Sequence, residues 1–331
     1  MSNALPPFDA TDAPASVTAE MHALRRMLDS MIPPKRDGVR NLLIGTWNLK
    51  AFSSLTEVWT ASPHHSPKRD WRALWAITEI VSRFDVMALQ EVKGDLKALR
   101  TMLKTLGPDW QFLMTDVTRG TAGNLERLVF LFDARRISLS GLACELVVPE
   151  ERLQMVAPDA LRRQFARTPY AVGFRSGDVT FVLVTLHVIY GERPEERYPE
   201  LKAIAEWMAD WAKQTTEWEQ NLIILGDFNI DRHGSLIWQA FASTGLTVPA
   251  ALDQVPRSIF FDEADRLDKY YDQIAWFETG NDKRRLNLDV SSGGGIDFVP
   301  HLYREIGMTR KDMQYRVSDH YPLWVEFTHR H

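Results

Sequence analysis

The sequence predicts an α/β protein in which mixed β-sheets pack face to face with helices outside, and three observations lead there. Strand-like and helical stretches alternate in the early part of the chain, from Asn41 to Leu106. Strand-like runs at hairpin spacing follow. No Pro/Gly/Ser linker divides the chain after Gly38, and polar residues recur at the ends of apolar runs from Asn48 to His320. One domain over residues 39–331, preceded by an arm over 1–38, is therefore expected.

The arm is Pro- and Ala-rich at first, then sets Leu24, Met27, Leu28 and Met31 at helical spacing, with Ser16 or Thr18 as an N-cap and Pro33-Pro34 as the stop. Asn41 to Leu49 is a strand running into Gly45, Trp47 and Asn48. The loop Lys50 to Asp70 carries Trp59, His64, His65, Lys68 and Arg69, and its patternless length marks it as functional or mobile. His64 and His65 read as a solvated pair. Trp71 to Phe84 is a helix, and Val86 to Leu89 is a buried strand that ends in Gln90-Glu91-Val92-Lys93. A helix from Leu96 to Leu106 closes at Gly107-Pro108.

Trp110 to Thr115, Arg127 to Phe132 and Leu139 to Val148 read as strands, with Glu126 entering the second. Leu161 to Ala166 is a short basic helical piece. Strands Tyr170 to Arg175 and Val179 to His187 flank the Ser176-Gly177-Asp178 turn, and Glu195 to Lys213 is a helix. Leu222 to Leu225 is the next buried strand, released by Gly226. Asp227 and Asn229 then lie two residues apart on a chain read as near-extended, so both face one side. Taken alone, such a pair is an Asx turn leaving a strand. Ser235 to Gly245 is helical, Tyr271 to Phe277 is a strand with Asp272 near its start, and Gly293 to Gly295 is a turn before a strand Ile296 to Val299. Ser318-Asp319-His320-Tyr321-Pro322 leads into the closing strand Leu323 to Phe327. Pro322 biases this stretch toward extended geometry, which points Asp319 and His320 to opposite sides.

Composition narrows the function. Cys144 is the only cysteine among the 331 residues, so no internal disulfide forms, and its setting LACELVV reads as core. No apolar run is long enough to span a membrane, and the N-terminus lacks the charged-then-apolar order of a signal peptide. A soluble, cytoplasmic protein is expected, with no partner protein evident. A net charge of −5 gives no global attraction to nucleic acid, so a polyanion has to be held by local basic patches or bound cations.

The segment Gly45-Thr46-Trp47-Asn48-Leu49 has the same form as Gly226-Asp227-Phe228-Asn229-Ile230, which points to two strands delivering asparagines to a shared place. Asn48, Glu91, His187, Asp227, Asn229, Asp272, Asp319 and His320 all stand at the ends of apolar runs. If these ends meet, the carboxylates crowd: two charges 4 Å apart repel by about 4 kcal/mol at an effective dielectric near 20. Such a cluster calls for a cation, a proton or paired histidines. Hard oxygen ligands in that number select Mg²⁺, Mn²⁺ or Ca²⁺, whereas zinc lacks its thiolates and histidine spacing.

With TWNL at Asn48, LQEV at Glu91, ERLVFLF at Glu126, TLH at His187, GDFN at Asp227, YDQI at Asp272 and SDHYPL at Asp319, the chain resembles the endonuclease/exonuclease/phosphatase superfamily. These metal-dependent phosphoesterases include deoxyribonuclease I-like nucleases, apurinic endonucleases, sphingomyelinases and inositol-phosphate phosphatases. The motifs fall in the family's order and span the chain from about Asn41 to Phe327. The resemblance implies a four-layer α/β sandwich, two packed mixed sheets flanked by helices, with the site at one end. It implies Mg²⁺ held by Glu91 with Asn48 and Asp319, Asp272 orienting His320, and Glu126 orienting His187. Asp227 and Asn229 would position the attacking water and the phosphoryl group, and Asp297 is the weaker candidate for the role given to Asp272. Which histidine is the base stays open.

The closest local pattern is that of deoxyribonuclease I, with departures. Its phosphate-binding arginine after QEV is Lys93 here, which keeps the charge and loses the bidentate fork. Its groove-inserting tyrosine is Asn124 here, and its disulfides are absent. The resemblance thus implies a metal-dependent phosphodiester hydrolase, nuclease-like and acting on nucleic acid. A phosphatase for a small phosphoester or lipid headgroup is the alternative, and a catalytically silent binding module would require a lost motif residue, which is not found.

Overall fold

A computed structural model describes residues 12–36, 40–118, 124–147, 167–190, 197–212, 221–261, 264, 268–277, 279–280, 283–284 and 286–329. The basic piece at Leu161 to Ala166 lies outside the described residues, as do the ends of the helix expected over 195–213. In chain order the elements are α1 (Ala15–Met31), β1 (Asn41–Phe52), α2 (Trp71–Val81), β2 (Val86–Val92), α3 (Lys97–Leu106), β3 (Trp110–Met114), β4 (Arg127–Asp133) and β5 (Ser138–Glu145). There follow β6 (Tyr170–Ser176), β7 (Val179–His187), α4 (Tyr198–Ala212), β8 (Leu222–Asp227), α5 (Leu236–Ala242), β9 (Leu246–Thr247), β10 (Asp272–Phe277), β11 (Thr279–Gly280), β12 (Lys283–Arg284), β13 (Leu288–Gly295), α6 (Arg310–Met313) and β14 (Leu323–His329).

Two six-stranded mixed sheets form the centre, one in the order β13-β14-β1-β2-β4-β3 and the other β5-β6-β7-β8-β10-β9. Each sheet has one parallel pair near its middle, β1 with β2 and β7 with β8. Strand alternation decides what fills the space between the sheets. Leu42 and Ile44 of β1, Val86 and Ala88 of β2, Leu183 of β7, Ile223 and Leu225 of β8, and Ile274 of β10 form one apolar cluster there. The odd-numbered partners on β1, Leu43 and Trp47, face outward and pack with α1, α2 and α3. On the other sheet, Val182 and Ile224 pack with α4 and α5. Helix, sheet, sheet and helix make the four layers expected. Burial of each large aliphatic side chain contributes about 1.5–3 kcal/mol, so the apolar faces dictate the register of every central strand.

Local readings change in four places. α1 begins at Ala15 after Pro14 and has no side-chain cap, so neither Ser16 nor Thr18 serves as one. Its Val17, Met21, Leu24 and Leu28 join the cluster that holds α2, while Met31 is exposed. Gly293 to Gly295 is not a turn: it ends β13, pairing with Val325 to Leu323. A Cβ on Gly295 would lie 2.4 Å from Val255 Cγ1, so glycine there allows close approach instead of reversal. The stretch after it, Ile296 to Val299, is accordingly not a strand, since the chain has already paired. Cys144 is half-buried on the edge strand β5 instead of in the core.

Candidate active site

The period of two that builds the core also builds the site. On the strand faces that meet between the sheets, the apolar residues give way to polar ones at one end: Thr46 and Asn48 on β1, Gln90 on β2, Thr185 and His187 on β7, Asp227 on β8 and Asp272 on β10. Gln90 makes the floor, donating from Nε2 to Thr46 Oγ1 at 3.1 Å and to Thr185 Oγ1 at 3.0 Å across the two sheets. Sequence reasoning passed over Gln90 in favour of its neighbour. Above the floor is a cavity of about 510 Å³ whose lining includes Glu91, Glu126, His187, Asp227, Asn229, Asp319 and His320.

Glu91 reaches this cavity against the parity of its strand. Its φ of 60° is left-handed, and the pairing of β2 with β4 is irregular between Leu89 and Val92. Such a conformation costs a non-glycine residue on the order of 1–3 kcal/mol, offset here by the contacts made around it. Glu91 accepts from Ala51 N at 2.9 Å and from Asn48 Nδ2 at 3.1 Å, and no ion pair to it is seen among the described residues. Asn48 Nδ2 also donates to Asp227 Oδ2 at 3.0 Å, while its Oδ1 accepts from Lys50 N. As placed, Asn48 bridges two carboxylates through its amide nitrogen, so its oxygen does not face them.

Lys50 and Ala51 are both left-handed, and Arg69 explains how that turn is held. The buried Arg69 guanidinium donates to the carbonyl oxygens of Leu49, Lys50, Ala51, Arg316 and Val317. It ties the end of β1 to the segment carrying Asp319 and His320. Lys50 Nζ then reaches Asp319 Oδ2 at 2.6 Å and Gln314 Oε1 at 3.0 Å. The loop over 50–70, read as functional or mobile, thus includes the arginine under the site. His64 and His65 are exposed and belong to no ligand cluster among the described residues.

Asp319 and His320 diverge as expected, the first toward Lys50 and the second toward the other sheet. His320 Nδ1 lies 2.6 Å from Asp272 Oδ2. Asp297 is elsewhere, accepting from Val299 N at 3.0 Å, so the partner of His320 is Asp272. Burial pushes Asp272 up to about 6 despite the pull of His320. Burial also works against the imidazolium of His320, but Asp272 and Asp227 outweigh it and raise the group to about 10.

His187 Nδ1 lies 3.0 Å from Glu126 Oε2. Glu126 also meets Arg167 Nε at 2.5 Å, Lys93 Nζ at 3.0 Å and Asn124 Nδ2 at 2.6 Å. Burial alone would raise Glu126, yet His187, Arg167 and Lys93 together bring it down to about 2. Lys93 and Asn124 therefore point at Glu126. Arg167 was missed by sequence reasoning, since nothing local links an arginine three residues ahead of β6 to a carboxylate ahead of β4.

Asp227 stands between the histidines, its Oδ2 3.5 Å from His187 Nε2 and 3.8 Å from His320 Nε2. Burial opposes its charge, but the two histidines and the Asn48 amide keep its pKa below the usual value. The chain does not run extended through this motif: Gly226 has φ 138° and Asn229 φ 50°. Asn229 N donates to Asp227 Oδ1 at 2.9 Å, an Asx turn, and Asn229 Nδ2 donates to Val188 O at 2.7 Å. Both residues still line the cavity, through the turn instead of through strand parity. A Cβ at Gly226 would fall 2.2 Å from Leu186 O, so only glycine lets β8 approach β7 there.

Carboxylate and imidazole atoms close enough to share an ion occur in two groups among the described residues, Glu91 with Glu126 and His187, and Asp227 with Asp272 and His320. In the second, His320 is held as a cation and opposes a metal. Glu126 in the first already faces two cations. Glu91, with no ion pair among the described residues, is the oxygen donor best suited to a hard divalent ion, and Asp319, paired with Lys50, is a second carboxylate on the cavity wall.

Solved structures of low sequence identity share this architecture. A crystal structure of an endonuclease/exonuclease/phosphatase family protein from Bacteroides thetaiotaomicron superposes with a TM-score of 0.58 at 18% identity, covering 88% of this chain and 95% of the other. This chain has the endonuclease/exonuclease/phosphatase fold. The mannosyl-6-phosphatase Bt3783 of B. thetaiotaomicron VPI-5482 has the same fold, with a TM-score of 0.58 at 16% identity over 87% of this chain and 99% of its own. So has D. rerio TDP2 complexed with single strand DNA product, with a TM-score of 0.54 at 12% identity over 87% and 99%. A relative named Deoxyribonuclease, from Thioalkalivibrio sp. (strain K90mix), is 24% identical over 328 residues, covering 93% of this chain and 77% of that protein. No family model matches the chain. Among the described residues, no helix is long and apolar enough to cross a membrane.

Proposed function

We propose that this endonuclease/exonuclease/phosphatase-fold chain is a divalent-metal-dependent phosphodiester hydrolase that acts on nucleic acid. The observation that carries the reading is the convergence of His187 and His320, each backed by a carboxylate from the opposite sheet, on the single Asp227 carboxylate. Such an arrangement supplies a proton acceptor and a proton donor on either side of one small volume. Asp227, ionised, accepts the proton of a water placed with Asn229. His320, held as imidazolium, donates to the departing oxygen. The water oxygen bonds to phosphorus as the ester P–O bond breaks. Arg167 and the Glu126-paired His187 face the phosphoryl oxygens. Glu91 and Asp319 would hold Mg²⁺, or Mn²⁺ or Ca²⁺, which would supply Lewis-acid polarisation of a phosphoryl oxygen, with Asn48 orienting Glu91 through its amide nitrogen.

Nucleic acid is favoured over a small ester because the surface continues beyond the central cavity. A neighbouring hollow of about 710 Å³ is lined by Lys93, Arg127, Asp116, Leu125 and the shared Asn124, leaving room for a chain to continue to one side of a scissile bond. The similarity to a deoxyribonuclease supports the same reading. The alternative, hydrolysis of a small phosphoester, draws on the central cavity, whose volume suits one small ligand, and on the fold shared with a mannosyl-6-phosphatase. Plasmid DNA, single-stranded oligonucleotides, bis-p-nitrophenyl phosphate and hexose and inositol phosphates, each with Mg²⁺ and with EDTA, separate the two. Turnover of monoesters with every phosphodiester left intact would refute the proposal.

A further inference from the structure

The ion-paired side of the cavity accounts for the chemistry, but the side next to His320 is aromatic and the hydrolysis makes no use of it. Tyr190 and Tyr271 line it together with Phe260 and Lys269. Tyr190 is 57% exposed, unusual for a large ring on a cavity wall. It is nonetheless fixed. The Arg197 guanidinium lies 4.2 Å from its ring centroid, Arg197 Nε donates to the Tyr190 carbonyl, and Arg197 Nη1 donates to Asn229 O at 2.8 Å. Tyr271 meets Tyr190 edge to face, with centroids 6.3 Å apart at 74°. The Tyr271 ring in turn lies 5.6 Å from that of His320.

A ring held by an arginine and by a neighbouring ring, with much of its surface uncovered, offers a flat contact area at little further entropic cost. We propose that Tyr190 and Tyr271 form a stacking site for an unpaired nucleobase beside the scissile phosphate. This rests on the nucleic-acid reading above and deepens it. Every base has a π-face, so such a platform tolerates sequence, and the arginine on the ring adds to its preference for a polarisable plane. A hexose would draw on the polar groups of this wall, Lys269 and the two phenol hydroxyls, whereas a base would use the exposed ring face that Tyr190 presents. A base stacked here cannot remain paired inside a helix, so a duplex has to open before it engages. Single strands and unpaired ends are the preferred substrates.

The test compares kcat/KM for a single-stranded oligonucleotide with that for the same strand carrying abasic residues around the cleaved bond, in the parent, Tyr190→Ala and Tyr190→Phe. The parent is expected to lose about tenfold or more when the bases are removed, within the range that one stacked base supplies. Tyr190→Ala should show that loss already on the intact strand and respond less than threefold to base removal. Tyr190→Phe, which keeps the ring, should discriminate as the parent does. If Tyr190→Ala responds to base removal as strongly as the parent, the stacking site is refuted while the nuclease reading stands. A parent that cleaves no oligonucleotide in Mg²⁺ or Mn²⁺ refutes both.

Discussion

The two histidine-carboxylate pairs are built alike and tuned oppositely. Each straddles the sheets: His187 ends β7 and meets Glu126 ahead of β4, while His320 precedes β14 and meets Asp272 at the start of β10. Glu126 divides its charge among His187, Arg167, Lys93 and the Asn124 amide. Asp272 spends one oxygen on His320, and its other oxygen has no hydrogen-bond partner among the described residues. Surrounded by His187, Arg167 and Lys93, the Glu126 carboxyl is brought down to about 2, whereas burial pushes that of Asp272 up to about 6. A carboxylate with one imidazole and a second carboxylate nearby fixes that imidazole as a cation. The difference teaches that a shared motif does not assign a shared role, because the neighbours of the carboxylate decide it.

The largest expected effect tests the concentrated pair. His320→Ala and Asp272→Asn should each lower kcat by about 10² to 10⁴ on any phosphodiester the parent cleaves, and the double variant should be far from additive. A folded His320→Ala with near-normal turnover would remove His320 from the chemistry. The divided pair should be more forgiving: Glu126→Gln is expected to lower kcat by about tenfold, because in the proposed chemistry His187 faces the phosphoryl oxygens and transfers no proton. A loss as large as that of Asp272→Asn would erase the contrast.

Next in size is the metal. Mg²⁺ at 100 times its dissociation constant should stabilise the fold by about 2.7 kcal/mol, read as a rise in Tm over EDTA. Glu91→Gln should shrink that rise with little change in the chelated protein, since it removes both a ligand and a repelling charge. Superimposable melting curves with Mg²⁺ and EDTA across concentrations would argue against an acidic metal site. The smallest effect is the change in stability over a single pH unit, where the two pairs should slope in opposite directions. Glu126 is lowered from 4.5 to about 2, so its contribution is present above pH 4.5 and lost as pH falls toward 2. His320 is raised from 6.5 to about 10, so its contribution is present below pH 6.5 and lost as pH rises toward 10. Neither slope can exceed about 1.4 kcal/mol per pH unit for one proton. Chemical denaturation from pH 6.5 to 10 should show a decline that His320→Asn flattens.

Much of this was legible in the sequence because strand alternation is local. Asn48, His187 and Asp227 continue apolar faces that can be read from their own neighbours, and Asp272 follows the same parity. Glu91 was legible as a strand-end residue, but the left-handed turn that delivers it was not, since φ is set by packing around the bulge. Arg167 and Lys50 escaped notice because their partners, Glu126 and Asp319, are remote in sequence. The glycines at 293–295 misled because a close approach between strands and a reversal call for the same residue. Asn229 lines the cavity through an Asx turn instead of an extended chain, since either brings i and i+2 to one side.

Arg69 carries a consequence for how this site tolerates change. Its five acceptors are all main-chain oxygens, drawn from residues 49–51 and 316–317. A cage of that kind specifies the course of the backbone and is indifferent to the side chains mounted on it. Ala51, exposed at the rim, is therefore the position where a side chain can change without moving the groups on either side of it, whereas Lys50 is tied to Asp319 and Arg316 to Asp70. Arg69 has no such latitude, because lysine offers no planar fork to span two chain segments at once.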